Sequence, residues 1–517
     1  MKSVMTHQFS QVPKAEIPRA SFDRSHGLKT TFDSGDLVPI FVDEALPGDT
    51  FNAKMTGFAR MATPIFPVMD NLYMETFFFS VPYRLVWDNW QKFNGEQIDP
   101  GDSTDFTIPT LPLQTPTVGS IFDYMGIPPG PFDNPINVNT LPFRAYNLIW
   151  NEWFRDQNLQ DSITVAKTDG PDSSGLYELK KRGKRHDYFT SSLPWPQKGD
   201  SVSIPLGTSA PVQSGPNQVE GNAVGIKVPG EGANQYRRLS ADTTDVAIDS
   251  TTFTASEVLT ADLTNATAAT INQLRQAFQV QKLLERDARG GTRYTEIIRA
   301  HFGVSSPDQR LQRPEYLGGG SSPINIMPVA QTTSTDATTP QGNLAAFGTA
   351  HLNNHGFTKS FTEHCFVIGL VNVRADLTYQ QGLSRMYTRE TRYDHYWPAL
   401  AHIGEQAIEN IEIYTQGNSA DQDVFGYQER YAEYRYKPSQ ITGKMRSAAA
   451  ASLDAWHLSQ DFGSLPVLGD TFIQDNPPMD RVLAVNTEPQ FIFDGYFSLK
   501  CARPMPLYGV PGNMDRF

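Results

Sequence analysis

The sequence is poor in cysteine, in long apolar runs and in charge. Cys365 and Cys501 are the only two cysteines in 517 residues, which excludes a disulfide framework and the secreted scaffolds built on one. They are too far apart in sequence to form a CxxC pair for zinc. No apolar run approaches the roughly 20 residues that a membrane helix needs, so membrane insertion is not expected. Residues Met1 to Ser10 lack the apolar core of a signal peptide. The expectation is a soluble chain that folds in a cytoplasm. Charged residues make up 19% and hydrophobic ones 39%, enough apolar material for a sizeable core and too much for global disorder. Net charge is −13. Dedicated nucleic-acid binders are usually basic, so any such contact must be local or use a basic helper.

Signatures of catalysis are also missing. Gly318-Gly319-Gly320-Ser321-Ser322 lacks the lysine and the spacing of a phosphate loop. No Gly-x-Ser-x-Gly elbow occurs. His351 and His355 have i, i+4 spacing, but Leu352-Asn353-Asn354 and Gly356 favour a turn and no acid lies between the histidines. A polar loop is the better reading than a metal site. Carboxylates are plentiful, yet nothing in the sequence pairs two of them across a cleft as a glycosidase requires. No catalytic, cofactor or metal residue is assigned.

What is present points to β structure. The 39 Gly and 37 Pro are spread along the chain, and aromatics reach 11%. Pro and Gly interrupt helices and serve turns, while aromatics fit pleated sheets and large interfaces. Leu37 to Val42 is a short apolar run, followed by a turn at Pro47-Gly48-Asp49. Asn71 to Val81 is apolar on both parities, which predicts a strand buried on both faces. Cys365 to Val373 is nearly continuous apolar sequence. Phe491 to Cys501 alternates, with Phe491, Phe493, Phe497, Leu499 and Cys501 on one face. Helix is predicted over Phe143 to Asp156 behind Pro142. A second is predicted from Ile271 to Gly290-Gly291, with Thr270 and Gln273 as a capping box and a stripe of Leu274, Ala277, Phe278, Gln281, Leu284 and Ala288. A third fits Tyr294 to Phe302. Strands thus bracket a helical, loop-rich middle, and one large β-sandwich with long insertions explains this better than a string of domains.

Several segments stand apart. Residues 1–31 read as a mildly basic, extended arm, and 503–517 as a second arm. Asp200 to Phe253 is dominated by small and polar residues and is far longer than the ~12–15 residues usual for structureless loops. Its scattered Val219, Val224, Ile226 and Val228 predict a small β-rich excursion. Two basic clusters are candidate contacts. Lys180, Lys181, Arg182, Lys184 and Arg185 form the denser one and are candidates for phosphates or a packaging partner, against a solvated loop or a salt-bridged contact between subunits. The other interleaves Tyr431, Tyr434, Arg435, Tyr436 and Lys437 beside Tyr427 and Arg430, a composition typical of protein interfaces, with base stacking and core packing as the rival uses.

Glu429 to Ser447 (ERYAEYRYKPSQITGKMRS) resembles a signature stretch of the major capsid proteins of gokushoviruses, of the Microviridae. Thr56 to Asn71, Phe78 to Gly95, Tyr146 to Leu159, Lys184 to Gly199, Gln273 to Glu285 and Tyr508 to Asp515 agree with it, so the resemblance covers nearly the whole chain. Residues 200–253 depart from it, where that family carries a hypervariable insertion. The resemblance implies an eight-stranded antiparallel jelly roll with long loop and helical insertions. Its framework would be residues 32–199 and 254–502 of a single protomer. It implies sixty copies in a T=1 shell around circular single-stranded DNA, and an insertion forming a threefold protrusion that meets a host cell-surface receptor. The implied partners are a small basic DNA-packaging protein, a scaffolding protein and a minor or pilot capsid protein. A virion spike or fibre protein is the runner-up, and a jelly-roll carbohydrate-binding protein or enzyme the third reading.

Overall fold

The structure is a computed structural model. It describes residues 17–200 and 271–509, apart from Ser306 and residues 337–339, together with Val202 and short strands between 201 and 270. Thr270, Val219, Val228 and the outer parts of both expected arms lie outside the described residues. The chain divides into two compact units, one of residues 1–196 and 291–517, the other of Gln197–Gly290.

In the first unit, ten strands make two antiparallel sheets. They are β1 (Ala20–Asp23), β2 (His26–Phe32), β3 (Val38–Ala45), β4 (Thr50–Met61), β5 (Leu72–Pro82), β6 (Glu315–Pro323), β7 (Asn325–Ala330), β8 (Leu344–Ser360), β9 (Cys365–Ala375) and β10 (Phe491–Arg503). The first sheet runs β10-β4-β8-β7, with β1 and β2 both paired to the free side of β10. The second runs β6-β5-β9-β3. Their inner faces share one core. Phe51, Met55 and Phe493 of the first sheet meet Phe41, Phe78 and Val371 of the second, and the rings of Phe41 and Phe497 lie 5.3 Å apart.

Alternation decides which sheet is covered once and which twice. In β4 and β10 every second residue is buried, while Lys54, Arg60, Ile492 and Lys500 face outward. In β5 and β9 nearly every residue is buried, as expected from apolar residues on both parities. The second face of that sheet is covered by helix α1 (Leu141–Ile149), which starts at Pro142 and continues as one wide turn through Phe154. Phe143, Tyr146 and Ile149 pack there against Phe79, Phe366 and Leu370. Each large side chain so buried contributes ~1.5–3 kcal/mol.

The sequence expectation needs correction at two places. Residues 20–32 belong to β1 and β2, so the sheet begins inside the stretch expected to be an arm; its polar alternation hid a strand covered on one face only. His351 and His355 sit in β8, not in a turn. A bulge at Asn353 and Asn354, the latter with φ 57°, turns His351 outward and His355 inward. The buried His355 ring bonds to Thr76 Oγ1 (2.8 Å) and Ser322 Oγ (3.2 Å), and burial lowers its pKa.

The second unit contains a three-stranded antiparallel sheet of Val224–Ile226, Tyr236–Ala241 and Val246–Phe253, in which Leu239 faces Val224 and Arg237 faces Ile226. It extends past the expected boundary at 253, because helix α2 (Ile271–Gly290) belongs to it. Gly291, with φ 92°, ends that helix as predicted. Helix α3 (Tyr294–Phe302), back in the first unit, ends at the left-handed Gly303.

The glycines of Gly318-Gly319-Gly320 have a packing role in β6. A Cβ on Gly320 would stand 2.5 Å from the His355 ring, and one on Gly319 would collide with the Thr76 carbonyl oxygen. Gly320→Ala is therefore expected to destabilise the protein by about 1–3 kcal/mol, read as a lower denaturation midpoint with the far-UV spectrum of the folded state unchanged.

Candidate functional site

The basic cluster at 180–185 is extended backbone threaded between two other segments. Arg182 N–H donates to the Gly35 carbonyl (2.8 Å), and Lys184 N–H to that of Ile473 (2.7 Å). The cations so placed meet carboxylates of their own chain. Lys180 pairs with Glu178 (3.2 Å) and Lys181 with Asp36 (3.1 Å). Arg182 and Arg185 both reach Glu75, which also accepts from Arg374 at 3.0 Å. Lys184 is buried over the Phe472 ring at 4.4 Å. Burial pushes the Glu75 pKa up, but the arginines, led by Arg182 and Arg374, outweigh it and hold the group below its usual range.

Lys180, Lys181, Arg182, Lys184 and Arg185, the candidates for phosphates or a packaging partner, are thus all engaged within the chain. Four of the five form ion pairs within the chain, and Lys184 packs over an aromatic ring. Glu75 lies 107, 110 and 299 positions from Arg182, Arg185 and Arg374, so no local signal announces the pairing. The same holds for Arg144, fully buried and bidentate to Asp172 at 2.7 and 2.8 Å.

Asp475 completes the cluster. Its side chain is buried, and Oδ2 meets no hydrogen-bond donor among the described residues. Burial drives its pKa up to about 7 against the pull of Arg374, Lys184, Arg182 and Lys181.

The second cluster separates into two kinds of residue. Tyr431 is 2% exposed, in a left-handed turn at φ 62°, and donates to the Tyr393 carbonyl. It is a packing residue, which corrects its assignment to an interface. Tyr434, Arg435, Tyr436 and Lys437 are exposed. Arg435 pairs with Glu429. Tyr434, Tyr436 and Lys437 line one side of a cleft of about 630 Å³. Its other walls include Tyr188, Phe189, Tyr379, Arg385 and Glu412. Arg385 and Glu412 neutralise each other at 2.8 Å. Beside the cleft lies a stretch that sequence reasoning missed, Met386 to Trp397, whose aromatics follow no helical or strand period. Among the described residues no cluster of His, Cys, Asp and Glu forms a metal site, and no helix is long and apolar enough to cross a membrane.

Paired cations, an exposed aromatic surface and a doubly covered sheet describe a scaffold with large contact faces. Comparison with known proteins identifies its kind. Residues 10–513 match the family described as Capsid protein (F protein). The chain belongs to this capsid family. It is 50% identical to Capsid protein VP1 of Bdellovibrio phage phiMH2K, covering 99% of this chain and 98% of that one. Capsid protein VP1 of Chlamydia phage 1 is 44% identical, over 99% of this chain and 98% of that one. That of Spiroplasma virus 4 is 38% identical, over 98% and 97%. The capsid protein is thus a structural, non-enzymatic component of a phage virion, of the gokushovirus kind that the sequence resembles, and works by multi-copy assembly. The spike and jelly-roll-enzyme readings fall away, because the similarity to capsid proteins runs the full length of the chain.

Glu75→Gln leaves three buried or half-buried arginines short of their counter-charge. It is expected to cost about 3–5 kcal/mol of stability, while Lys180→Ala, which frees only the exposed Glu178, stays within ~0.5 kcal/mol of wild type; denaturant titration of both variants checks the contrast. For Asp475 the raised pKa means that the folded state keeps a proton which the unfolded state releases between the ordinary aspartate range and about 7. Stability from this group therefore falls as pH rises through that window. Asp475→Asn should match wild type near pH 4 and gain on it, by up to a few kcal/mol, as pH approaches 8; melting temperatures across that range would show no such divergence if the carboxyl ionises normally.

Proposed function

We propose that the capsid protein builds a T=1 icosahedral shell of sixty copies around circular single-stranded DNA, using an eight-stranded jelly roll as its framework. The observation that carries this reading is the strand order. With the short β1 and β7 set aside, the strand order reduces to β2-β10-β4-β8 facing β3-β9-β5-β6, the order of two Greek keys found in viral jelly rolls. The chain's own charge supports a basic partner. Sixty copies at −13 each, around a nucleic-acid polyanion, need counterions, and the cluster at 180–185 is already neutralised internally. A small basic packaging protein supplies them, with a scaffolding protein and a minor or pilot protein as further assembly partners in the bacterial cytoplasm.

Residues 200–253, within the separate unit 197–290, carry the receptor-facing surface in this reading, with Val219, Val224, Ile226 and Val228 in it. Variable recognition belongs on segments held by a rigid scaffold. The arms, 503–517 and the residues before β1, strap neighbouring copies.

Negative-stain microscopy of the chain co-expressed with the other virion proteins tests the shell, with uniform closed particles expected and small rings or monomers refuting it. Deleting Ser201 to Ser250 is expected to leave particle assembly intact and abolish attachment to host cells. Loss of particles in that deletion would make the segment structural instead.

A further inference from the structure

The stretch Met386–Trp397 is unusual for the surface of a folded chain. Tyr393 is 56% exposed, Tyr396 51%, Trp397 45% and, across from them, Tyr434 50%. They form one patch. Tyr396 touches the rings of Tyr431 (5.2 Å) and Tyr434 (6.3 Å), and Arg392 lies over both Tyr393 (5.1 Å) and Trp397 (5.5 Å).

The patch is held in shape from below. Trp397 Nε1 donates to the Arg392 carbonyl at 2.8 Å. Arg430 and Tyr431 both donate to the Tyr393 carbonyl, at 3.0 and 3.2 Å. Arg389 stacks on Tyr434 at 4.3 Å while pairing with Glu433 at 3.4 Å. Side chains fixed before contact lose little entropy on binding, and rigid Tyr, Trp and Arg clusters are what alanine scanning finds at the centres of interfaces.

We infer that this patch is a contact surface for a second copy of the same chain, with Tyr393, Tyr396 and Trp397 as its anchors. The inference rests on the shell-building function and names one of its faces. Charge complementarity selects the occupant. Glu390 and Asp394 flank Arg392 in the chain, and Glu429 pairs with Arg435, so both signs are presented together. Such a surface matches another copy carrying the same mixed charges, whereas a polyphosphate strand would meet carboxylates among the cations. Contiguous exposed apolar groups rimmed by charge are a mark of interaction sites.

The test uses the full chain co-expressed with the other virion proteins. Tyr393→Glu combined with Trp397→Glu changes side chains that are about half exposed, and the melting temperature of the purified variant separates a loss of folding from a loss of assembly. Its yield of closed particles by sedimentation should fall at least about ten-fold. Wild-type yield from the double variant would overturn the assignment. Hydroxyl-radical footprinting of wild type needs no variant. Oxidation of Tyr393, Tyr396 and Trp397 should drop on going from the free chain to particles, equally in filled particles and in particles emptied of nucleic acid. Equal oxidation in free chain and particles would overturn the inference, as would protection confined to filled particles, which would assign the patch to nucleic acid. If wild type itself forms no particles, the shell reading fails first, and this inference with it.

Discussion

The placement of β10 between β2 and β4 is the constraint on which the rest of the framework depends. Its buried face, Phe491, Phe493, Phe497, Leu499 and Cys501, supplies much of the shared core. Its edges hydrogen-bond to strands from the beginning of the chain. Until this last strand is placed, β4 has an unpaired edge and β1 and β2 have no partner. Pairings at such sequence separation require loop closure before they return any stabilisation, which makes folding slow and leaves strand edges open meanwhile. The result is a framework whose two ends are sewn into one sheet, suited to a unit that must keep its shape while many neighbours press on it.

The second sheet solves a different problem. Buried on both faces, it requires a covering layer, and α1 with its aromatic neighbours provides it. Charges enter this layered structure only where they are tied down. Glu75 on β5 gathers Arg182 and Arg185 from the threaded strap and Arg374 from β9. Buried ion pairs seldom add net stability over apolar packing, but breaking one is costly. Their effect here is positional, since the strap at 180–185 satisfies Glu75 only in its observed register.

Legibility followed from periodicity. β5, β9, β10, α1 and α2 could all be read because apolar residues recur at the spacing of the element. β4, with a clean alternation from Phe51 to Met61, carried the same signal and went unread beside the turn before it. β2 was hidden because polar residues occupy its exposed face. The basic cluster was visible as composition, but its pairing was not, because Glu75 and Asp36 lie far from it in sequence and no local pattern connects them. Tyr431 looked like its exposed neighbours and is buried because a left-handed turn reverses the chain at that residue. Family membership was the most legible property of all, since long matching stretches carry information that no single spacing does.

The internal neutralisation at 180–185 bears on how the proposed shell meets its DNA. A protein whose densest basic run is exposed supplies counterions for nucleic acid from its own wall, and binding then weakens steeply with salt. Here that run is closed by Glu75, Asp36 and burial over Phe472, and the chain remains acidic as a whole. Whatever charge compensation the enclosed polyanion requires must therefore come from molecules other than this chain, or from scattered surface cations that act singly. The exposed aromatic surface, with its mixed charges, leads to the same division. Under the proposed function, contacts between copies fall to this chain, and contact with DNA falls to a separate basic component.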